Sequence, residues 1–233
     1  MTHMTMVMPS RTRPDKARIA CDIAFKNVTN PNTQIWVVRD ASDLSYADYA
    51  KAFRGSQAFL VTADGNMVQR SNVIAQNLVD LSNMGNMVTD VIGWMADDTH
   101  MVTPGWDSMV LEHFEDGAHI VTVNDGHMDK ARPQSAWFIS TSAVGALGYL
   151  CLPTSDHLYV DDAWAVLRDN VGGAGQHCSA VLAEHMHPNV NKGEWDDQYR
   201  TIHTPDNYGH DRTAFETWKS GQLALDTEKV LAL

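Results

Sequence analysis

The chain has 233 residues, a formal charge of −12 and 44% hydrophobic residues, which suits one large α/β domain with a sizeable core. The acidic balance excludes a surface dominated by phosphate-backbone contacts, because nucleic-acid affinity rests on Lys and Arg. Cys21, Cys151 and Cys178 are far apart, odd in number and without a CxxC pair, which argues against a disulfide framework or thiolate zinc site and for a reducing cytoplasm.

Short β-rich runs alternate with helical patterns. The N-terminal MTHMTMVMPS lacks the basic region and long apolar run of a signal peptide, so MTMVM reads as a first strand leading into the loop PSRTRP. KARIACDIAFKNV places Ile19 and Ile23 four apart, on one face of a predicted helix. QIWVVRD is a second strand, and YADYAKAF repeats the helical spacing with Tyr46 and Ala50. QAFLVTAD is a third strand, followed by the helix QRSNVIAQNLVDL with Ile74, Leu78 and Leu81 on one face. DVIGWMA, the fourth strand, runs into Asp97, Asp98 and a Pro-Gly-Trp turn; HIVTV is the fifth.

Residues 133–155 carry no charged side chain over a length that spans a bilayer. Their Ser and Thr residues, two Gly and Pro153 read better as a strand, SAWFIS, and a short helix, TSAVGALGYL. YVDDAWAVLRD looks like a helix start, and SAVLAEHMHP is strand-like. This alternation predicts an α/β fold with a mostly parallel central sheet flanked by helices. Residues 1–190 read as one domain, and residues 191–233 as a C-terminal loop and helical extension packed on it.

In such a sheet the loops after the strands converge on one edge. That gathers Arg11, Arg13, Asp40, Asp64, Asp97 and Asp98. Guanidinium groups suit phosphates, and a carboxylate after a strand accepts hydrogen bonds from a base or ribose. Adjacent carboxylates repel, and burial raises their pKa values unless a cation compensates, so a positive charge is expected beside Asp97 and Asp98. The alternative is that the pair caps the helix after the Pro-Gly-Trp turn. In an extended segment His100 projects to the same side as Asp98, and His185 shares a face with His187.

Taken in order, VMPSRTRP, VVRDASD, GNMVQRSN, MADD with PGW, and VDDAW resemble the family 2 glycosyltransferases and related enzymes of the GT-A, or nucleotide-diphospho-sugar transferase, fold. The resemblance covers roughly residues 4–170 and implies a role for each segment. Pro9, Ser10, Arg11 and Arg13 correspond to the donor-binding opening loop. Asp40 corresponds to the nucleoside-binding acid, although Arg39 stands where a first acid is common. Arg70 and Asn72 match the family's ARN element. Asp98 corresponds to a ligand of Mn²⁺ or Mg²⁺, and Asp97 to a contact with ribose or a metal-bound water. A C-terminal histidine, His185 or His187, adds a nitrogen ligand to the same metal. Asp162 takes the place of the catalytic base, with Asp161 beside it on the acceptor side and Trp164 positioned to stack on the acceptor. Lys192 reaches the donor phosphates from a segment hinged at Gly193.

The expected activity is therefore metal-dependent transfer of a sugar from a nucleoside-diphosphate sugar, UDP foremost, to a hydroxyl, with inversion. A sugar nucleotidyltransferase typically carries a Gly-rich phosphate loop, and PSRTRP has no glycine. A non-catalytic glycan-binding protein would have little use for both acidic pairs. The acceptor is a glycan, a small molecule or, by analogy with small phage-encoded transferases acting in the host cytoplasm, a modified base in DNA. Lys130, Arg132 and Arg168 are the candidates for a local basic strip on that side.

Overall fold

The computed structural model describes residues 2–127 and 135–233. Its eight strands are β1 (Met4–Ser10), β2 (Thr33–Asp40), β3 (Phe59–Ala63), β4 (Val91–Met95), β5 (Thr99–Met101), β6 (Ile120–Asn124), β7 (Ala136–Ser140) and β8 (Gly175–His185). They form one sheet in the order β3-β2-β1-β4-β7-β6-β8-β5. The pairs β1/β2, β1/β4, β2/β3 and β6/β8 are parallel, and β4/β7, β6/β7 and β5/β8 are antiparallel.

Nine α-helices among the described residues cover this sheet. Beneath one face lie α1 (Pro14–Lys26), α2 (Tyr46–Ala52) and α4 (Trp106–Glu115), whose Ala20, Tyr49 and Trp106 share a core with Met6, Ile35 and Phe138 of the strands. On the other face α3 (Met67–Asn83), α5 (Thr141–Leu147) and α6 (Val160–Asn170) bury Leu78, Val144 and Leu167 against Val7, Ile92 and Ile139. The chain ends in α7 (Asp197–Ile202), α8 (Pro205–Gly221) and α9 (Leu223–Leu231), with α9 against α5 and α6. No helix among the described residues is long and apolar enough to cross a membrane.

Two predicted helix faces are corrected. In α1 the buried stripe is Ala17, Ala20, Cys21 and Ala24, whereas Ile19 is 52% exposed. Small side chains let the helix axis approach the sheet, so the bulkier Ile19 is left outside and Ile23 is half-buried. In α2 Tyr49 is buried while Tyr46 is 58% exposed and Ala50 is also exposed. In α3 the predicted face holds for Ile74 and Leu78, both buried. The three-residue strand β5 carries too little pattern to be read from sequence.

The cleft follows from how β1 and β4 part. Their pairing ends at Val7 opposite Trp94, while β1 continues beside β2 to Ser10. Pro9, which has no backbone N–H, sits past that last β1/β4 pair and breaks none of its hydrogen bonds. Gly93 in β4 is required by close approach, because a Cβ there would collide with Met6 Sδ and Phe138. Connections leave β1 and β4 toward opposite ends of the sheet order, so their carboxyl ends open at a topological switch point.

Candidate active site

A cavity of about 370 Å³ opens at that point, lined by the β1–α1 loop, the ends of β4 and β8, the start of α6 and part of α7 and α8. Asp97 and Asp98, both buried, lie in its wall. Ser10 Oγ donates to Asp97 Oδ2 at 2.8 Å, and Arg13 Nη1 lies 3.3 Å from Asp97 Oδ1. Burial pushes the Asp97 carboxyl up to about 6; Arg13 pulls against this rise, and Asp98 adds to it. For Asp98 burial acts in the same upward direction. It is outweighed by the hydrogen bond and charge of His185 and the hydroxyl of Tyr199, which hold the carboxyl well below the usual range.

His185 Nε2 is 3.4 Å from Asp98 Oδ2, the oxygen to which Tyr199 Oη also donates. Burial works to lower the His185 pKa, but Asp98 and then Asp161 reverse the direction and raise it. Arg13 lies 3.9 Å from the centre of the Tyr199 ring and bonds Asp196 Oδ1 at 2.6 Å. Asp196 also binds Lys16 at 2.8 Å and caps α7 through the Tyr199 amide. The two aspartates thus sit between charged groups rather than capping α4, which begins at Trp106.

The residues around Asp40, expected on the nucleoside side, form a second cluster. Asp40 Oδ2 is 2.6 Å from Arg70 Nη1 and 3.5 Å from Arg11 Nη1, while Oδ1 accepts from the amide and hydroxyl of Ser42, both at 2.8 Å. Arg39 turns away and donates to the carbonyls of Asp40 and Asp43. Asp43, three residues after Asp40, is buried and accepts from the Thr12 amide at 2.7 Å, joining the β2 loop to the β1 loop. Thr12 has a φ of 58°, so this bond holds a residue in left-handed backbone. Asp64 is exposed and is absent from the cavity wall. Asn72 clamps the backbone at Leu150 and Cys151, accepting from both amides and donating to the Cys151 carbonyl.

Asp162, Trp164, His187, Lys192 and Gly193 are placed differently from expectation. Asp161 lines the cavity and Asp162 does not. They occupy successive positions in the first turn of α6 and point about 100° apart. Burial, reinforced by Asp162, pushes the Asp161 carboxyl up to about 7. Trp164 is 2% exposed, bonds the Leu150 carbonyl and tilts against Tyr149, so it belongs to the core and presents no acceptor surface. The wall instead carries Trp94 and Trp137, stacked with centroids 4.2 Å apart, together with Tyr159 and Tyr199.

His187 also lines the cavity, but its nitrogens are engaged elsewhere. Nδ1 accepts from the Asn189 amide at 3.1 Å, so the neutral ring carries its proton on Nε2 and donates to His203 Nε2, also at 3.1 Å. His203 then donates from Nδ1 to Tyr208 Oη at 2.8 Å. Burial, with the His185 charge, lowers the His187 pKa to about 4, keeping the ring neutral. Lys192 is bound to Glu184 at 2.6 Å and lines a neighbouring cleft of about 360 Å³ that touches the other side of Asp97 and Asp98. His100 faces that cleft too. Gly193 is a close contact rather than a hinge, since a Cβ would collide with the Met186 carbonyl.

Sequence reading missed Asp43, Asp196, Tyr199, His203 and Asp211. A spare acid after β2 was the available signal for Asp43. The others lie in the C-terminal part and reach the site across long separations, 101 residues between Tyr199 and Asp98.

No protein-family model matches this sequence, and no curated protein matches it closely enough to count as a relative. Solved structures do resemble it. Staphylococcus aureus TarS (residues 1–349), in complex with UDP-GlcNAc, superposes with a TM-score of 0.60 at 10% identity, covering 99% of this chain and 71% of that one. The mannosyltransferase PcManGT from Pyrobaculum calidifontis, with GDP-Man and Mn²⁺, gives 0.59 at 9% identity over 99% and 73% of the two chains. Glucosyl-3-phosphoglycerate synthase from Mycobacterium tuberculosis, with Mn²⁺, UDP and phosphoglyceric acid, gives 0.56 at 10% identity over 82% and 73%. The fold is that of GT-A nucleotide-sugar transferases; at such identities the likeness speaks to fold.

Proposed function

We propose that this chain is a metal-dependent glycosyltransferase that moves a sugar from a nucleoside-diphosphate donor to a hydroxyl acceptor with inversion. The observation that carries the reading is one cavity whose wall includes the carboxylates of Asp98 and Asp161, with His185 feeling the charge of both and the guanidiniums of Arg11, Arg13 and Arg70 in the same wall. Donor cleavage builds negative charge on the departing diphosphate while the attacking hydroxyl sheds a proton. One side of the cavity must therefore be electropositive and the other must offer a base.

The Asp98 side fits Mn²⁺ or Mg²⁺. Its carboxylate oxygen and the His185 nitrogen, 3.4 Å apart, make an oxygen and nitrogen donor pair compatible with either ion, Mn²⁺ the more readily. When bound, the ion supplies Lewis-acid stabilisation of the leaving diphosphate. Arg11, Arg13 and Arg70 line the wall and place guanidinium charge beside the diphosphate. Asp40, buried behind the wall and held by Ser42, orients the Arg11 and Arg70 guanidiniums that face the donor. Ser10 and Arg13 hold Asp97 beside the metal ligands. Asp161 removes the acceptor proton, and its carboxyl near 7 suits a base working at neutral pH.

The order of motifs supports membership in family 2, and the nucleotides held by the solved neighbours support a UDP- or GDP-sugar donor. We propose a glycan or small-molecule acceptor rather than a modified base in phage DNA. Arg168 is buried and bonded to Thr122 and Asp169, so it adds nothing to a basic strip; Lys130 and Arg132 lie outside the described residues. The free, buried cysteines suit a cytoplasmic location.

The test incubates the chain with UDP-, GDP- and dTDP-sugars, with and without Mn²⁺, and follows nucleoside diphosphate release into water. The expected result is metal-dependent release by the native chain and a fall of at least about 100-fold in Asp98→Ala. Equal release with and without metal in both proteins overturns the reading.

A further inference from the structure

Asp211 lies on α8, far in sequence from every proposed catalytic group, and is 1% exposed. Its carboxylate gathers three successive backbone amides from the loop that leads into α6. Asp156 N–H donates to Oδ1 at 2.9 Å, and His157 and Leu158 N–H donate to Oδ2 at 3.0 and 2.7 Å. His210 Nδ1 is also 2.8 Å from Oδ1. Three consecutive amides converging on one anion form a nest, a conformation that loses its organising centre when the anion is removed.

The same helix grips the next residue of that loop. Tyr159 has a φ of 61° and opens α6 without a side-chain cap, a conformation that a bulky residue keeps only when its surroundings impose it. Arg212 Nε donates to Tyr159 Oη at 3.0 Å, and Phe215 stacks on the ring at 5.8 Å. Asp211, Arg212 and Phe215 therefore fix residues 156–159, and Asp161 follows two residues later.

We propose that Asp211 is a positioning residue for the acceptor side: by holding the 156–158 amides it sets the direction in which α6 presents Asp161 to the cavity. The inference rests on the reading of Asp161 as base and adds to it a requirement for the C-terminal helix α8. A shift of about 1 Å at a reacting group costs up to about 100-fold in rate, so a disturbance at Asp211 is expected to fall on turnover more steeply than on donor binding, although both sets of residues line one cavity.

The experiment compares Asp211→Asn, Arg212→Ala and Asp161→Asn with the native chain in Mn²⁺-dependent cleavage of the donor sugar the panel selects. Amide hydrogen exchange at residues 156–158 is measured in parallel. In Asp211→Asn, one amide hydrogen faces the loop amides in place of an oxygen. The expected result is a loss of about tenfold or more in kcat, an unchanged donor KM and faster exchange at 156–158. Arg212→Ala, at an exposed position, shows the same split at about two- to threefold and keeps the test open should Asp211→Asn fail to fold. Native kcat in both variants, or equal losses in kcat and donor affinity with unaltered exchange, overturns the inference. If Asp161→Asn itself cleaves donor at the native rate, the reading of Asp161 as base fails, and the exchange data still decide whether Asp211 organises the loop.

Discussion

The two walls of the cavity are built by different means. On the Asp98 wall, the charged groups that meet at Asp40 and Asp97 come from loops directly after β1, β2 and β4 and from the first turn of α3, and they pair with one another: Arg70 with Asp40, Arg13 with Asp97. On the Asp161 wall, the loop into α6 is held by Asn72 from one side and by α8 from the other. A strand end fixes where a side chain must point, so the first wall is organised by the sheet itself. The second depends on chain that returns more than 50 residues later, as the separations of 53 to 55 residues at Asp211 show.

This contrast predicts where each wall is vulnerable. The largest effect on stability falls on the ion-paired wall. Asp40 and Arg70 are each about 5% exposed at the side chain, and removing one partner of a buried pair strands the other charge. Arg70→Ala is expected to cost about 3 kcal/mol and to lower the thermal midpoint by several degrees in calorimetry. An unchanged midpoint means that Ser42 and Arg11 satisfy Asp40 without Arg70, and the contrast between the walls weakens.

A smaller effect is expected where the C-terminal segment crosses from one wall to the other. The Tyr199 hydroxyl donates to Asp98 Oδ2, and a cation taking that oxygen must displace it. Tyr199→Phe removes a bond to a charged group worth about 1.5 kcal/mol, so Mn²⁺ should bind about tenfold more tightly in a calorimetric titration. Weaker binding in this variant would assign the hydroxyl to the metal site rather than to a competing contact.

The smallest effect is common to both walls. Burial works to raise the carboxyls of Asp43 and Asp211, but it is outweighed for Asp43 by the Ser45 hydroxyl and the Thr12 amide, and for Asp211 by the Asp156 amide, His210 and the next two amides. Both carboxyls therefore lie below their usual range. A carboxyl depressed in the fold stabilises it above the unfolded pKa, about 3.9, and that contribution is lost as pH falls through the lower folded value. Urea unfolding should show constant stability from these groups above about pH 5 and a decline below about pH 4. Asp43→Asn and Asp211→Asn should each remove part of the slope.

The same division explains what could be read from sequence. Strands β1 to β4 stand out because β-branched runs end at turn formers, and their loops then follow from topology, which brings Arg11, Arg13, Asp40 and Asp97–Asp98 into view. Helix faces were less legible: in α1 the alanines pack inward and Ile19 faces solvent, so apolar spacing alone selects the wrong side. Asp161 and Asp162 are chemically identical neighbours, and only the angle at which α6 starts, set by Tyr159 in left-handed backbone, separates them. Trp164 looks like a stacking surface until Leu150 and Tyr149 enclose it. Tyr199, His203 and Asp211 belong to no periodic or local pattern, and their partners are fixed only in the folded chain.

On the proposed reading the buried Asp98 serves the departing diphosphate, and the half-buried Asp161, across His185, serves the incoming hydroxyl. Comparing Asp161→Asn with Asp162→Asn in Mn²⁺-dependent donor cleavage, alongside equilibrium binding of the same donor, tests it most directly. Asp161→Asn should bind donor with native affinity and lose about 100-fold or more in turnover, while Asp162→Asn should stay within about threefold of native. Native turnover in Asp161→Asn, or the larger loss in Asp162→Asn, contradicts it.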